Sequence, residues 1–433
     1  MPSIAPNWPF SPRKSPIFYG WVIWVFSTLG VICSIPGQTM GLAVFTDAFI
    51  DVLGLSRTEL SMAYLAGTVG SSLFLTAAGR WYDRLGGRLM ITLASLALGL
   101  MVFFVSMTDH LAALLGGGSV ITLGLIMVGY FGVRFFGQGM LTSCSRNVLL
   151  LWFVRRRGLV SGVRGVFISI GFSLAPLLLG WMILTFGWRE ALWIMAFSVG
   201  VVFAGLALVF IRDNPASCGL RADGGLQGDS DTQTVVDVPS QSLRQARRSP
   251  LFWIYSGSLG MHAMFGTALT FHIVSVFTEA GRDSSEAFGY FLPAAVFSTA
   301  VNLLGSAMVD RHRLKPYLVL MLICFIGGAV GLLNLADDWG FWLLAAGFGA
   351  GGGLWGVISN LAFIRFFGPL HLGEISGLNT ALTVFASAIG PAAFSLGLDH
   401  FGSYNAAVKI CLFLLVLLLM AALWVRQEEV VHA

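Results

Sequence analysis

The chain has 433 residues, of which 56% are hydrophobic and 11% are charged, and its formal net charge is +4. A soluble chain carries about a quarter charged residues, so this composition excludes an ordinary globular domain and indicates a helical membrane protein with many spans. The basic residues are scattered among short polar stretches, which excludes a nucleic-acid-binding surface.

Polar residues divide the sequence into apolar runs of about 20 residues or more, the length that crosses roughly 30 Å of hydrocarbon. Arg13 and Lys14 precede the first run, which lacks an AxA-like cleavage site and therefore predicts a retained span. The twelve predicted spans are 18–46, 57–79, 88–108, 117–152, 158–183, 188–211, 251–278, 286–309, 315–335, 340–366, 372–398 and 404–425. We therefore predict an all-α integral membrane protein with twelve transmembrane helices.

A polar segment rich in Asp, Gly, Ser and Gln separates the sixth span from the seventh. It covers 213–250, and because its composition cannot bury a core we expect a mobile cytoplasmic linker. The chain then divides into an N-terminal six-helix bundle, 1–212, and a C-terminal six-helix bundle, 251–433.

The basic residues also predict the orientation of the spans. Eighteen of the 25 Lys and Arg residues fall on the side of the N-terminus, three fall on the opposite side, and four lie within spans. Because loops rich in Lys and Arg stay in the cytoplasm, we expect both termini to be cytoplasmic in an inner or plasma membrane.

The two halves of the chain resemble each other. GLVSG at 158–162 matches GEISG at 373–377, an offset of 215 positions (373 − 158), and the same offset places Pro176 on Pro391. A duplication of six spans is typical of transporters whose substrate binds near the membrane midplane, between two halves that move.

The stretch GRWYDRLGGR at 79–88 concentrates charge and glycine between the second and third spans. It resembles the loop motif of the major facilitator superfamily at Gly79, Asp83, Arg84, Gly86 and Arg88, and the resemblance covers essentially the whole chain. It implies the twelve-helix, two-bundle fold, transport by alternating access, and a gating role for the motif. We expect the Asp83 carboxylate to bond to a helix N-terminus or to an arginine.

A second, degenerate form of this motif follows the eighth span. It retains Asp310 and Arg311 with flanking bases, so we expect two gating contacts of unequal strength. Three further stretches, FYGW at 18–21, WFVRRRGLVSG at 152–162 and SLRQARRSPLFW at 242–253, resemble the monocarboxylate transporter and oxalate/formate antiporter branch. That branch tends to place an arginine in the eighth span, where this chain has Asn302 as its strongly polar residue.

Four bases lie deep within predicted spans, and no acid does. An apolar interior with embedded cations favours an anion. Arg164 lies about 10 Å into the fifth span and Arg146 at a similar depth in the fourth, so both guanidinium groups could converge on one carboxylate or phosphate. The alternative is that each side chain extends to the membrane surface or bonds to backbone carbonyls.

Several other polar side chains within spans are candidates for the substrate cavity. Arg134 resembles an arginine of the same superfamily with a structural or coupling role, and the interpretation as a hydrogen-bonded structural arginine stays open. The uncharged candidates are Gln38, Tyr64, Asn302, Asn360 and Asn379, for which hydrogen bonds between helices are the alternative.

His262 and His272 both lie in the seventh span, ten residues apart. At about 100° per residue they lie some 80° apart on the helix, which does not place them on one metal-binding face. Since histidine titrates near neutral pH, either one is a candidate for proton coupling, and a simple structural hydrogen bond is the alternative.

These features predict a secondary active transporter of a small organic anion, a carboxylate by preference, working by proton symport or anion exchange. An efflux antiporter for drugs or metabolites and a transporter-like nutrient sensor are the alternatives. Paired carboxylates, a nucleophile–base pair and CxxC spacing are not found in the sequence, so we predict no enzyme, no cofactor and no metal site. We expect a monomer whose partners are its anionic substrate, protons and the lipid bilayer.

Overall fold

The computed structural model describes residues 5–226 and 240–425. Within these ranges, twelve helical segments are long and apolar enough to cross a membrane, which confirms the predicted all-α fold with twelve spans. Ten of the twelve begin and end within three residues of the predicted positions, because the apolar runs that set their length are local features of the sequence. The first span ends at Gly37 rather than at 46, and the second continues to Leu85 rather than ending at 79.

The described residues up to the end of the sixth span contain eleven α-helices. In chain order these are α1 Gly20–Ile32, α2 Thr39–Ala43, α3 Thr46–Leu53, α4 Arg57–Leu85, α5 Gly87–Ser106, α6 Thr108–Leu114, α7 Ser119–Val133, α8 Thr142–Trp152, α9 Arg157–Phe186, α10 Trp188–Phe197 and α11 Ala204–Phe210. Of these, α2, α3 and α6 lie outside the spans. Two π-helical stretches, Arg134–Leu141 and Ser198–Phe203, continue α7 into α8 and α10 into α11.

The described residues from 240 onward contain eight α-helices. These are α12 Leu243–Ala246, α13 Pro250–Glu279, α14 Ser284–Gly289, α15 Phe291–Val309, α16 Leu314–Leu333, α17 Asp338–Phe367, α18 Leu372–Phe401 and α19 Asn405–Trp424. Of these, α12 lies before the seventh span. Helices α9 and α18, which occupy equivalent places in the two halves, each continue through an internal proline, Pro176 and Pro391.

Two local breaks follow from the sequence. The first span is interrupted at the predicted proline, because α1 ends at Ile32 and a 3₁₀ turn covers Ile35–Gly37. The predicted loop at 79–88 is mostly helical: α4 continues to Leu85 and α5 begins at Gly87. The turn is confined to Gly86, whose φ of +83° is readily adopted only by glycine.

The described residues form two compact units. Unit 1 contains the described residues of Met1–Val154, Val166–Thr234 and Leu370–Ala381, and unit 2 contains those of Arg155–Gly165, Val235–Pro369 and Leu382–Ala433. Unit 1 therefore contains most of the N-terminal half together with the beginning of α18. Unit 2 contains most of the C-terminal half together with the beginning of α9. The domain boundaries at 212 and 251 stay a prediction.

Glycine allows the closest helix packing in both units. In unit 1, a Cβ atom on Gly99 would lie 2.5 Å from the Gly200 Cα atom. The backbone of α5 therefore contacts the backbone of the π-helical stretch Ser198–Phe203 directly. In unit 2, Gly328 and Gly347 bring α16 and α17 together in the same way. Small residues at such contacts are the usual basis of helix association in membranes.

The predicted linker is structured at both of its ends. Residues Ala216–Cys218 form a 3₁₀ turn, a two-stranded hairpin pairs β1 Leu220–Arg221 with β2 Gly225–Leu226, and α12 opens with a capping box from Ser242 to Gln245. Both ends of the predicted linker thus contain secondary structure, and its mobility stays a prediction. Its middle, 227–239, and the C-terminal 426–433 lie outside the described residues.

Candidate functional site

A polar cluster in unit 1 surrounds the break in the first span. Arg134 is 3% exposed, and its Nη1 donates to the Gly37 carbonyl oxygen at 3.1 Å. Its guanidinium group lies over the ring of Tyr64, 5.2 Å from the centroid, and the Tyr64 hydroxyl pairs with Thr39 Oγ1 at 2.8 Å. The carbonyl is available to Arg134 because the backbone is extended at Gln38, where the 3₁₀ turn ends, and the N–H groups of the following helix bond to the Gln38 carbonyl oxygen instead.

Gln38 belongs to the same cluster. Its Nε2 donates to Ser34 Oγ at 3.0 Å and to Thr142 Oγ1 at 3.4 Å, and the Thr142 hydroxyl donates to Ser34 Oγ at 3.1 Å. Arg134 begins the π-helical stretch that ends just before Thr142. π-helical turns occur frequently at functional sites, because the wider coil redirects side chains.

A second polar cluster lies in unit 2, along two consecutive turns of α17. Asn302 Nδ2 donates to the Gly353 carbonyl oxygen at 3.0 Å, and Asn360 Nδ2 donates to that of Gly356 at 2.8 Å. Trp355 lies between Gly353 and Gly356 in α17, and its Nε1 donates to the Leu259 carbonyl oxygen at 3.2 Å. Both asparagines thus bond to backbone, and Asn302 does so across two helices, α15 and α17.

The two histidines have different surroundings. His272 Nε2 lies 3.0 Å from the Pro391 carbonyl oxygen, and its Nδ1 lies 3.3 Å from the Tyr404 hydroxyl. His262 instead stacks on Phe325, with centroids 4.7 Å apart, and contacts the Trp355 ring at 5.3 Å. Within the described residues, His262 Nδ1 is buried without a hydrogen-bond partner, a condition that calls for a functional or solvent partner.

Besides Arg134, two membrane-embedded arginines, Arg146 and Arg164, belong to different units. Arg164 is 3% exposed and lies in the second turn of α9, where Gly162 packs on Ser306 and Gly165 lies beside Asn302 of α15. Arg146 lies in α8 and is partly buried. Their convergence on one anion stays a prediction.

In unit 1 the Asp83 carboxylate caps the beginning of α18. Its two oxygens accept the backbone N–H groups of Gly373 at 2.7 Å and Glu374 at 2.9 Å. Gly79 allows this approach, because a side chain there would overlap the Gly373 carbonyl group. Arg80 Nε also lies 3.3 Å from Glu374 Oε2. We call the contact of Asp83 with these two amides the Asp83 latch.

Deeper in the same packing interface, Asn147 of α8 donates from Nδ2 to Ser376 Oγ at 2.9 Å. The candidate Asn379 lies one turn further along α18 and is 4% exposed. A small cavity beneath the Asp83 latch is lined by Tyr82, Cys144 and Asn147, among others.

Unit 2 contains the equivalent contact. The Asp310 oxygens accept the backbone N–H groups of Gly158 at 2.8 Å and Leu159 at 3.2 Å, at the beginning of α9. Gly158 and Leu159 lie 215 positions before Gly373 and Glu374, which is the offset between the duplicated halves of the sequence. The two aspartates therefore cap equivalent helices, one in each half. We call this contact the Asp310 latch.

The two latches differ in their neighbouring charge. Asp310 Oδ1 lies 3.3 Å from Arg365 Nη2, a contact that the sequence pattern did not indicate. Burial raises the pKa of the Asp310 carboxyl, while its two backbone hydrogen bonds and Arg365 act in the opposite direction. Arg84 and Arg311, the arginines that follow the two aspartates in sequence, are exposed.

Arg88, assigned to the gating motif by resemblance, has a different set of partners. It is 2% exposed, and its guanidinium group donates to the carbonyl oxygens of Leu208 at 2.7 Å, Trp8 at 2.7 Å and Ala5 at 3.3 Å. It also lies over the Trp8 ring, 5.4 Å from the centroid. Arg88 therefore binds the N-terminal segment 5–14, which we call the N-terminal strap.

Arg212, which the sequence did not single out, binds the same strap. It is 1% exposed and donates to the carbonyl oxygens of Pro6 at 2.7 Å and Phe10 at 3.3 Å. It also donates to those of Val209 at 2.7 Å and Ile211 at 2.9 Å. A basic residue just after an apolar run is common at the positive side of a membrane, so its sequence context carried no sign of this role.

Replacing Arg212 by alanine is expected to destabilise the protein by about 2–4 kcal/mol, because buried carbonyls lose their donors. Thermal unfolding of the purified protein in detergent measures the effect. Arg84→Ala is the matched control, since Arg84 is an exposed arginine of α4 that lies outside the strap. Equal melting temperatures for the two variants would contradict the importance of the strap.

Twelve spans, a duplicated half and a buried polar cluster in each unit define a polytopic membrane protein of the transporter class. The sequence profile of the Major Facilitator Superfamily matches residues 27–391, and the chain belongs to that family. It is therefore a transporter rather than an enzyme.

The names of two relatives describe them as transporters of sugar acids. The chain is 28% identical over 157 residues to the probable L-galactonate transporter of Escherichia coli (strain K12), a match that covers 36% of this chain and 31% of the relative. It is 24% identical over 208 residues to the hexuronate transporter of Bacillus subtilis (strain 168), covering 48% and 44%. Both matches thus span less than half the length of the relative.

Among solved structures, the chain is similar to the proton:xylose symporter XylE bound to 6-bromo-6-deoxy-D-glucose. The TM-score is 0.67 with 16% sequence identity, and the alignment covers 93% of this chain and 94% of the symporter. At that identity the likeness establishes the twelve-helix fold alone.

Proposed function

We propose that this protein is a secondary active transporter that moves a small organic anion, a carboxylate by preference, across the membrane by alternating access. The observation that carries the proposal is the distribution of charge along the helices. In the described spans, every Asp and Glu lies within three residues of a span end. Arg134, Arg146 and Arg164 lie deeper.

This distribution favours an anion for a physical reason. A cation deep in a span costs at least about 2.5–3.5 kcal/mol, so it is retained where it has a partner or a function. Arg134 has the Gly37 carbonyl and the Tyr64 ring, which neutralise none of its charge. A bound carboxylate would supply the missing negative charge and could accept two parallel hydrogen bonds from a guanidinium group.

The relatives agree with this class of substrate. Galactonate and hexuronates are sugar acids, each with one carboxylate and several hydroxyl groups. Amide side chains such as Asn302 and Asn360, and the hydroxyl of Tyr64, are suited to hydroxyl groups of that kind. We propose a hydroxylated carboxylate as the first substrate to test.

Proton symport and anion exchange remain the two candidate mechanisms of coupling. If protons are coupled, we propose His262 as the coupling group in preference to His272. Both ring nitrogens of His272 have partners, whereas His262 Nδ1 is buried without one in the described residues. The proposed orientation places both termini in the cytoplasm, on the basis of the positive residues.

Binding of carboxylates is expected to raise the melting temperature of the purified protein. Ligand at 100 times its Kd stabilises the folded state by about 2.7 kcal/mol, irrespective of the direction of transport. The screen should contain mono- and dicarboxylates, hexuronates and galactonate, with the matching neutral sugars as controls. A shift produced only by neutral or cationic compounds would contradict the proposal and favour efflux of drugs or metabolites.

A further inference from the structure

The small cavity beneath the Asp83 latch lies among helices that all belong to unit 1. Its walls come from α4, α8, α18 and the π-helical stretch that precedes α8, and it offers about 10 Å³ to a water-sized sphere. A cavity needs roughly 10–15 Å³ by this measure to hold one water molecule, together with two to four polar partners. None of the lining residues is charged, which favours a neutral molecule over an ion.

Asn147 lines this cavity and has a buried oxygen to be satisfied. Its Nδ2 donates to Ser376 Oγ at 2.9 Å, and the Ser376 hydroxyl donates in turn to the Gly373 carbonyl oxygen at 3.3 Å. Since that hydroxyl has a single proton, it must accept from Asn147, which fixes the orientation of the amide. Asn147 is 2% exposed, and among the described residues its Oδ1 has no hydrogen-bond partner. A buried amide oxygen of this kind calls for a donor.

Tyr82 supplies the second polar group. It lies one residue before Asp83 in α4, is 6% exposed and lines the same cavity. In the part of the chain that the structure describes, its hydroxyl is buried without a hydrogen-bond partner. A molecule that joins the two groups must donate to the Asn147 oxygen and be able to accept from the Tyr82 hydroxyl, and water does both.

We propose that this cavity binds one water molecule, which bridges Tyr82 and Asn147 beneath the Asp83 latch. The water donates to Asn147 Oδ1 and accepts from the Tyr82 hydroxyl. Its second proton is available to Ser143, which lines the cavity and whose hydroxyl makes only a long contact, 3.5 Å, with Thr380 Oγ1. The water thus joins α4 to α8 and, through the amide of Asn147, to α18. The inference goes beyond the proposed function and does not depend on the substrate.

Replacing Tyr82 by phenylalanine distinguishes a hydrated hydroxyl from an unpaired one by the sign of the effect. Loss of a water-bonded hydroxyl should lower the melting temperature of the purified protein by about 1–3 °C, whereas loss of an unpaired buried hydroxyl should leave it unchanged or raise it. Tyr19→Phe is the matched control, because Tyr19 is 2% exposed and its hydroxyl donates directly to the Phe210 carbonyl oxygen at 2.7 Å. A decrease for Tyr19→Phe alone would overturn the inference.

Combining Tyr82→Phe with Asn147→Leu tests whether one water serves both side chains. Either substitution removes the same bridge, so the melting temperature of the double variant should fall by less than the sum of the two single decreases. Additive decreases would contradict a shared water.

A crystal structure that shows ordered water provides the direct observation and decides the question if Asn147→Leu does not fold. We expect one solvent peak about 2.6–3.1 Å from both Tyr82 Oη and Asn147 Oδ1, and its loss in Tyr82→Phe. A dry cavity in a structure that shows other buried waters would overturn the inference.

Discussion

Replacing Arg164 by glutamine is expected to reduce uptake of the carboxylate substrate by about 30-fold or more, without lowering the amount of protein in the membrane. Removing one partner of a buried charge pair costs about 2–5 kcal/mol, which corresponds to that factor. Arg164 is 3% exposed, and its neighbour in sequence, Gly165, lies beside Asn302 of α15.

Uptake of radiolabelled substrate into proteoliposomes measures the effect, with protein level determined by immunoblot. Lys409→Gln is the matched control, because Lys409 is also a base within a span but is exposed near the beginning of α19. It should leave uptake unchanged. Arg164→Lys should restore part of the activity, since it keeps the charge but not the two parallel donors. Full uptake by Arg164→Gln would remove Arg164 from the substrate site.

Replacing Asp83 by asparagine is expected to slow transport about ten-fold or more while substrate binding stays nearly unchanged. The carboxylate accepts two backbone N–H groups at the N-terminus of α18, and hydrogen bonds to a charged group contribute about 1.5–3 kcal/mol. Asparagine keeps the size of the side chain but loses the charge and one acceptor oxygen. The latched state would then be less populated, and the cycle would slow.

Transport in proteoliposomes and the ligand-induced thermal shift should be measured on the same preparation, because the prediction separates the two. Asp51→Asn is the control, since it makes the same substitution at an exposed carboxylate of α3 that lies outside the gating motif. A loss of binding equal to the loss of transport would place Asp83 in the substrate site. Normal transport would refute its gating role.

Much of the architecture could be predicted from local features. A span requires about 20 apolar residues, so each run predicts its own helix regardless of what packs against it. The break in the first span follows from Pro36, because proline lacks the N–H that continues the helix. The family, the duplication and the embedded position of Arg164 are likewise properties of the linear sequence.

The partners of the charged side chains were decided by the tertiary structure. Asp83 accepts an amide 290 residues away, and no feature near either residue indicates that pairing. The same limit explains why no neighbouring residue indicated that Arg88 and Arg212 bind the N-terminal strap. A span forms wherever a local run of apolar residues is long enough to cross the lipid bilayer, so the sequence alone determines it. The partner of a polar side chain depends on which helices pack together, so only the tertiary structure determines it.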